Sequence, residues 1–303
     1  MSNAVGPARP DPQKVVDSYF HQQATYWEGI YNGSGVMELV HQLRLQVVLK
    51  FAGHKQPLRA ARVLDAGCGA GLATAALAKA GGLVYAVDSI PEMIELTRKA
   101  VVKQQVQPRV RCLRGNVQSL PFADHSFDLV IAAGVLPWVP APQAALIELC
   151  RVLKPGGRIV LTTDNRWGLC WIADPLTNPA LKPLKDFAIK ALTRSLKMTP
   201  RARVRMTSIR ECGRMLGACG LKIVAQSTVG FGPFSFFKRE VLPPNAGLRL
   251  HRRLQRMADQ GYPVLRWAGA QYVVMAEKAG AAASRIPRPA GDALSTARSA
   301  CGA

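Results

Sequence analysis

Residues 62–71, Arg-Val-Leu-Asp-Ala-Gly-Cys-Gly-Ala-Gly, join a short apolar segment to an alanine- and leucine-rich one through a glycine-rich turn. The glycines stand at positions 67, 69 and 71. Glycine lets a chain turn sharply and lets a ligand approach the backbone. A glycine-rich turn alone is more often a structural loop than a cofactor site, so the neighbouring sequence decides between the two.

An acidic residue follows the turn at a spacing typical of nucleotide-binding units. Asp88 lies 23 residues after Asp65, at the end of the second apolar segment, where a carboxylate can accept hydrogen bonds from ribose hydroxyls. Two features argue against NAD. Asp65 would lie unfavourably beside a pyrophosphate, and the glycine spacing is G-x-G-x-G rather than G-x-G-x-x-G. S-Adenosyl-L-methionine has a positive sulfonium, an amino group and no phosphate, so the acidic turn favours it.

Apolar segments alternate with helical patterns over residues 62–163, which predicts a parallel sheet with helices on both faces. The predicted strands are 62–64, 83–87, 110–113, 127–132 and 158–162, with a turn at 154–157. Ser208 and Glu211 form a capping box that opens a further helix, and 221–229 and 271–277 predict two more strands. The expected fold class is α/β, a doubly wound Rossmann-like seven-stranded sheet with helical cap insertions.

One domain is expected over residues 14–278, between disordered tails at 1–13 and 279–303 that have few large apolar groups. Its predicted parts are an N-terminal helical cap at 14–60, a cofactor-binding core at 61–164 and insertions at 165–206 and 230–269.

Five segments occur in the order typical of one enzyme family: 63–71, 86–88, 115–122, 126–130 and 153–157. In these segments the sequence resembles the class I S-adenosylmethionine-dependent methyltransferases, most closely the methyltransferase-11 (ubiquinone-methylase-like) group. The resemblance covers roughly residues 61–163. It implies a methyltransferase that uses S-adenosyl-L-methionine as its cofactor.

The resemblance also implies which residues hold the methionine and ribose parts of the cofactor. Asp65, Gly67 and Gly69 match the first motif, which cradles the methionine part. Asp88 matches the acid that binds the ribose.

Further matches surround the adenine. Ser89 and Ile90 are expected to flank it. Asn116 and Val117 stand where many members have Asp followed by an apolar residue, beside the adenine amino group. The Asn116 side-chain oxygen can still accept a hydrogen bond from that amine.

The segment after the fourth predicted strand is expected to approach the methyl donor. Ala133 and Gly134 face the methyl donor in such proteins. Many members then have a His pair, but this chain has Leu136-Pro-Trp138, so a substrate-binding role for that pair does not carry over.

Substrate-contacting candidates come from three places in the chain. Tyr26 and Trp27 are an aromatic pair in the helical cap, where core packing is the alternative. Trp138 follows the fourth strand. Asn165 and Arg166 follow the fifth strand at the edge where open α/β sheets bind ligands, although a structural turn is equally consistent with them.

No catalytic residue or metal site is predicted. The five histidines have no motif partner and are expected at the surface or in packing. Displacement at a sulfonium methyl depends on positioning more than on acid–base groups. The seven scattered cysteines suggest neither a zinc site nor a disulfide framework.

The formal net charge of +21 predicts attraction to polyanions. Ten Lys or Arg and two acids lie in 182–214, and the aromatic segment 231–237 precedes Lys238 and Arg239. This combination suits a lipid-like substrate or peripheral contact with an anionic membrane, or it forms a core beneath a solvated basic face. No signal peptide or spanning segment is evident, so a cytoplasmic protein is expected.

Two other functions stay open. The charge is compatible with a nucleic-acid methyltransferase, although the motifs used on base amino groups and on cytosine C5 are missing from the sequence. A non-catalytic cofactor-binding protein is the other alternative. A small or lipid-like acceptor is the preferred interpretation.

Overall fold

The computed structural model describes residues 11–31, 33–54, 57–185, 187 and 204–280. The strands are β1 (Arg62–Ala66), β2 (Leu83–Asp88), β3 (Val110–Arg114), β4 (Phe127–Ala132), β5 (Leu153–Asp164), β6 (Leu221–Val229), β7 (Ser235–Phe236), β8 (Arg239–Glu240) and β9 (Gln271–Lys278). The helices are α1 (Pro12–Gln22), α2 (Ala24–Gly29), α3 (Val36–Ala52), α4 (Leu72–Lys79), α5 (Pro91–Lys103), α6 (Pro142–Val152), α7 (Leu169–Ala173), α8 (Ile209–Ala218) and α9 (Pro244–Asp259).

The main sheet has seven strands in the order β3-β2-β1-β4-β5-β9-β6. Strands β1 to β5 pair in parallel, whereas β9 runs antiparallel between β5 and β6. This confirms the seven-stranded α/β class and adds that the sheet is mixed. The strand order reverses between β1 and β4, and such a switch point opens a crevice at the carboxyl ends of the strands.

Each face of the sheet carries its own apolar core because successive strand residues point to opposite faces. Leu64 packs with residues of α6 and α8, whereas its neighbour Val63 packs with residues of α3 and α4. Both residues are fully buried. Helices therefore cover both faces and leave the strand ends available for a site.

The first helix begins earlier than the sequence pattern predicts. The expected tail covers residues 1–13, but α1 starts at Pro12. Asp11 caps it, with its side chain accepting a hydrogen bond of 2.9 Å from the Gln13 amide. Proline suits the first turn of a helix because its φ is already helical. The other tail residues, 1–10 and 281–303, lie outside the described residues, as does 188–203 of the basic region.

The predicted turn at 154–157 is a bulge within β5. Phe127 pairs with Leu153 and Leu129 with Arg158, so the intervening residues of β5 loop out of the ladder. Gly156 supports this bulge with a φ of +73°, a conformation that glycine adopts without strain. The strand therefore begins at Leu153 and continues to Asp164, two residues beyond the predicted end.

The insertion between β6 and β9 holds the β7–β8 hairpin and α9. The buried side chains of His251 and Gln255 on α9 accept hydrogen bonds from the Phe231 amide (3.1 Å) and the Gly230 amide (3.0 Å). Phe231 is fully buried against α9, so this phenylalanine belongs to the core. None of the helices in the described ranges is long and apolar enough to cross a membrane.

Candidate functional site

A cavity of about 160 Å³ opens at the carboxyl ends of β1, β2 and β4. It is called the first cavity below. The structure brings all ten predicted cofactor-binding residues to its wall: Asp65, Gly67, Gly69, Asp88, Ser89, Ile90, Asn116, Val117, Ala133 and Gly134. They come from four separate loops, which the parallel strand order gathers at one edge of the sheet.

All three glycines of the turn have a positive φ, but the space around each of them differs. A Cβ at Gly67 would lie 2.3 Å from the Val135 side chain, and one at Gly71 would lie 2.5 Å from the Thr97 Cα. A Cβ at Gly69 would meet nothing within 4 Å. Gly67 and Gly71 thus permit close packing within the protein, whereas Gly69 is where a ligand has open access to the backbone.

Asp88 orders the turn and presents negative charge to the first cavity. Its carboxylate accepts hydrogen bonds from the Gly69 and Ile90 amides, both at 3.0 Å. A carboxylate has lone pairs for about four hydrogen bonds, so Asp88 retains acceptor capacity for a ligand. Burial raises the pKa of Asp88, and its backbone hydrogen bonds oppose that rise.

Asp65 is more deeply buried, with 1% of its surface exposed. It accepts a hydrogen bond of 2.5 Å from the Thr74 hydroxyl. Burial raises the pKa of Asp65 to about 6; the Thr74 hydrogen bond lowers it, and the charge of Asp88 raises it. The first cavity therefore combines two carboxylates with an exposed backbone, which fits a cationic ligand without phosphate.

Helix α1 lies over the first cavity and contributes Gln13, Val16, Asp17 and Phe20 to its wall. The Ser89 hydroxyl donates to Asp17 at 3.2 Å. The Gln13 side-chain oxygen is buried without a protein partner. None of the residues of α1 that the structure describes is fully buried, so this helix covers the cavity from the surface of the protein.

A second cavity, of about 260 Å³, adjoins the first one. Four residues line both: Trp27, Arg44, Gly134 and Trp138. Tyr26 lines the second cavity as well. Three of the five predicted substrate-contacting residues, Tyr26, Trp27 and Trp138, are therefore brought together beside the first cavity.

The other two predicted substrate residues bond to the protein instead. Asn165 is buried, and its amide nitrogen donates to the Trp267 and Gly269 carbonyls, both at 2.9 Å. Arg166 donates to the Met206 carbonyl at 3.1 Å and to Glu211 at 3.2 Å. Neither residue lines the first or the second cavity. Asn165 holds the end of the 230–269 insertion, and Arg166 holds the segment that leads into α8.

Among the residues of the second cavity that are not predicted site residues are His41, Arg44 and Asp164. Arg44 is 7% exposed and donates to the Tyr31 hydroxyl at 3.1 Å. A Cβ at Gly134 would lie 3.0 Å from an Arg44 guanidinium nitrogen, so glycine leaves room for that cation between the cavities. The sequence signal for His41 and Arg44 was the presence of two polar side chains among the apolar residues of a predicted helix.

Comparison with known proteins agrees with this geometry. Residues 64–161 match a family model described as a methyltransferase domain. A ubiquinone biosynthesis O-methyltransferase of Xylella fastidiosa is 36% identical over 146 residues, which are 47% of this chain and 57% of that protein. A demethylmenaquinone methyltransferase of Lactiplantibacillus plantarum is 47% identical over 103 residues, 33% and 44% of the two chains. The chain thus spans about half the length of the curated relatives it matches.

Solved structures share the fold at low sequence identity. Magnesium protoporphyrin IX methyltransferase from Synechocystis, solved with bound SAH, superposes with a TM-score of 0.60 at 18% identity, covering 89% of this chain and all of that one. The [4+2]-cyclase SpnF superposes with a TM-score of 0.58 at 17% identity, covering 90% and 98%. The same fold thus occurs in a methyltransferase and in a cyclase, so the fold alone does not name the reaction.

Proposed function

We propose that this chain, whose residues 64–161 are a class I S-adenosylmethionine-dependent methyltransferase domain, transfers a methyl group from S-adenosyl-L-methionine to a small or lipid-like molecule. The observation that carries the proposal is the first cavity, where Asp65 and Asp88 flank the open backbone of Gly69. The domain match over 64–161 supports the same function. Relatives named for ubiquinone biosynthesis and for demethylmenaquinone support a small, quinone-related acceptor.

The residues of the first cavity suit the parts of this cofactor. Asp88 has acceptor capacity left for ribose hydroxyls. Asp65 supplies negative charge toward the amino acid and sulfonium end, and the open face of Gly69 leaves space for the ligand. Asn116 and Val117 line the part of the wall assigned to the adenine. When bound, the cofactor supplies an electrophilic methyl group.

The chain contributes positioning and shielding from water. Helix α1 and Trp138 cover the first cavity, and the Tyr19 and Trp138 rings stack with centroids 5.1 Å apart. Gly134 lies in the wall shared by the two cavities, and its amide donates to the Thr162 hydroxyl at 2.7 Å. This arrangement holds two ligands next to each other, which is the main requirement of a displacement reaction.

Transfer is tested with S-adenosylmethionine that carries a tritiated methyl group. The full chain is incubated with hydroxylated aromatics, amines, quinol lipids and, separately, RNA and DNA. Label is expected in a small or lipid-like acceptor, and its amount is expected to fall in Asp88→Ala when S-adenosylmethionine is limiting. Label in nucleic acid alone would support the nucleic-acid alternative, and tight cofactor binding without any transfer would support a non-catalytic protein.

We also propose that the protein makes peripheral contact with an anionic membrane. Phe236 and Phe237 are 51% and 55% exposed in the β7–β8 hairpin, beside the exposed Lys238 and Arg239. Exposed apolar side chains next to basic ones suit a membrane interface. The exposed face of α9 adds further basic residues: Arg249, Arg252, Arg253 and Arg256.

A further inference from the structure

Unpaired polar groups are concentrated around the second cavity. Nine buried side-chain atoms in the described part of the chain have no hydrogen-bond partner, and six of them belong to residues that line this cavity. The six are Trp27 Nε1, His41 Nδ1, Arg44 Nε, Thr163 Oγ1, Trp171 Nε1 and Gln271 Oε1. Buried polar groups in native proteins are nearly always paired. Their concentration here indicates a polar ligand.

Donors outnumber acceptors among these groups. The indole N–H groups of Trp27 and Trp171 and the Arg44 N–H can only donate. The Thr163 hydroxyl can do either, and the Gln271 oxygen can only accept. His41 Nδ1 can also do either, depending on its tautomer. A ligand that pairs with the three obligate donors needs hydrogen-bond acceptors, which the oxygen of a hydroxyl group supplies.

The charges around the second cavity disfavour a cationic ligand. Arg44 is permanently charged and lies where the two cavities meet. Burial, together with the smaller effect of the Arg44 charge, lowers the pKa of His41 to about 3, so His41 is neutral at pH 7. Burial raises the pKa of Asp164, whereas the charge of Arg44 lowers it. A single carboxyl group thus faces a fixed cation, with a neutral imidazole beside it.

The apolar part of the wall is built from flat rings. Trp27 meets Tyr26 and His41 edge to face, with centroids 5.4 and 5.5 Å apart. Trp138 and Trp171 also line this cavity. Aromatic walls of this kind favour a planar ring, since offset and edge contacts between rings are favourable.

We propose that the second cavity is the acceptor site and binds a planar hydroxylated aromatic of the phenol class, with the reacting oxygen beside Arg44 and its proton passing to Asp164. The inference rests on the proposed function, since it names the substrate class of that site. In the balanced step, the phenol oxygen bonds to the methyl carbon while the carbon–sulfur bond breaks. A neutral thioether leaves, and the hydroxyl proton ends on the Asp164 carboxylate.

Binding is tested with three probes that share one ring system: 2-naphthol, naphthalene and protonated 2-naphthylmethylamine. Their dissociation constants are measured by equilibrium dialysis against the full chain at pH 7, saturated with S-adenosylhomocysteine so that no transfer occurs. 2-Naphthol is expected to bind at least about tenfold tighter than naphthalene, as a hydrogen bond to a charged group allows. It is also expected to bind tighter than the amine.

Three variants assign the effect to residues. Arg44→Gln is expected to reduce the preference for 2-naphthol over naphthalene to less than about threefold, because a neutral amide donates a weaker hydrogen bond than a charged guanidinium. Arg98→Gln, at an exposed position of α5 outside both cavities, is the matched control and should keep the preference. Asp164→Asn should still bind 2-naphthol, since an amide oxygen also accepts, but should slow transfer at least about 100-fold, as loss of a proton acceptor does. Circular dichroism checks that each variant is folded.

Several results would overturn the inference. They are tighter binding of the amine than of 2-naphthol, an unchanged preference in folded Arg44→Gln, no binding of any probe, or undiminished transfer in Asp164→Asn. Transfer to amines alone would remove this inference and leave the proposed function intact. Selective binding of 2-naphthol by a chain that never binds S-adenosylmethionine would contradict the proposed function and leave only the ligand class assigned to the second cavity.

Discussion

Replacing Asp88 by alanine removes one carboxylate that bonds two backbone amides and borders the first cavity. The amides of Gly69 and Ile90 each lose a partner at 3.0 Å. A buried donor left unsatisfied costs about 1–3 kcal/mol. Gly69 and Ile90 both border the cavity, so water can pair with one of the two amides, and we expect a loss of roughly 1–3 kcal/mol in the free energy of unfolding.

The same substitution weakens the cofactor complex. Loss of a hydrogen bond to a charged acceptor costs about 1.5–3 kcal/mol, which corresponds to a roughly 10- to 150-fold higher dissociation constant for S-adenosylhomocysteine. Asp88→Asn keeps one acceptor oxygen. Its unfolding free energy and its affinity for S-adenosylhomocysteine should therefore lie between those of the parent protein and of Asp88→Ala. Calorimetric titration measures the affinity, and urea denaturation measures the unfolding free energy.

Asp124→Ala is the matched control for an acid outside both cavities. Asp124 is an exposed partner of Arg151, and its removal should leave cofactor affinity unchanged. A folded Asp88→Ala protein that binds S-adenosylhomocysteine as tightly as the parent would refute the role assigned to Asp88.

Three further predictions follow from single features. Gly67→Ala should lower the free energy of unfolding by roughly several kcal/mol. The new Cβ would lie 2.3 Å from the Val135 side chain, and the residue would have a φ of +72°. An unchanged midpoint of urea denaturation would contradict this. Asp65, whose pKa is about 6 in the folded protein against an ordinary value of 3.8 for an aspartate, binds its proton more tightly when folded. The unfolding free energy should therefore fall by roughly 3 kcal/mol as pH rises through the interval between those two pKa values, and Asp65→Asn should flatten that slope in denaturation curves. Changing Phe236 and Phe237 together to serine should reduce pelleting with phosphatidylserine vesicles at low salt, whereas equal pelleting with and without anionic lipid would exclude the membrane contact.

The first cavity could be predicted from the sequence because its residues lie in local motifs at strand ends. Asp65, Gly69 and Asp88 each follow or end a strand whose bounds were predicted within two residues. Parallel pairing of β1, β2 and β4 then brings them to one edge. The local sequence motifs therefore predicted which residues, distant in the sequence, lie together in the fold.

The aromatic side of the second cavity was predicted in part, but its polar side could not be, because those residues come from distant segments whose register was unknown. Arg44 and Asp164 lie 120 positions apart in the sequence. The sequence pattern ends the fifth strand at 162, but its pairing with β9 extends it to Asp164. Asp164 therefore lines the second cavity, whereas Asn165 and Arg166, the residues selected from the sequence, bond to other parts of the protein.

The role of the glycine at position 67 also depended on tertiary contact. The motif alone predicts space for a ligand there, whereas the structure places the Val135 side chain against it. Gly67, Gly69 and Gly71 all line the first cavity, but a Cβ would meet nothing within 4 Å at Gly69 alone among the three. A motif thus identifies the turn, and packing decides which glycine the ligand needs.

The most direct test of the cofactor assignment is a calorimetric titration of the full chain with S-adenosylmethionine and, in parallel, with NAD⁺. We predict binding of one S-adenosylmethionine per chain, weakened by Asp88→Ala, and no binding of NAD⁺. Binding of NAD⁺ without binding of S-adenosylmethionine would contradict the assignment, because the acidic turn would then hold a pyrophosphate.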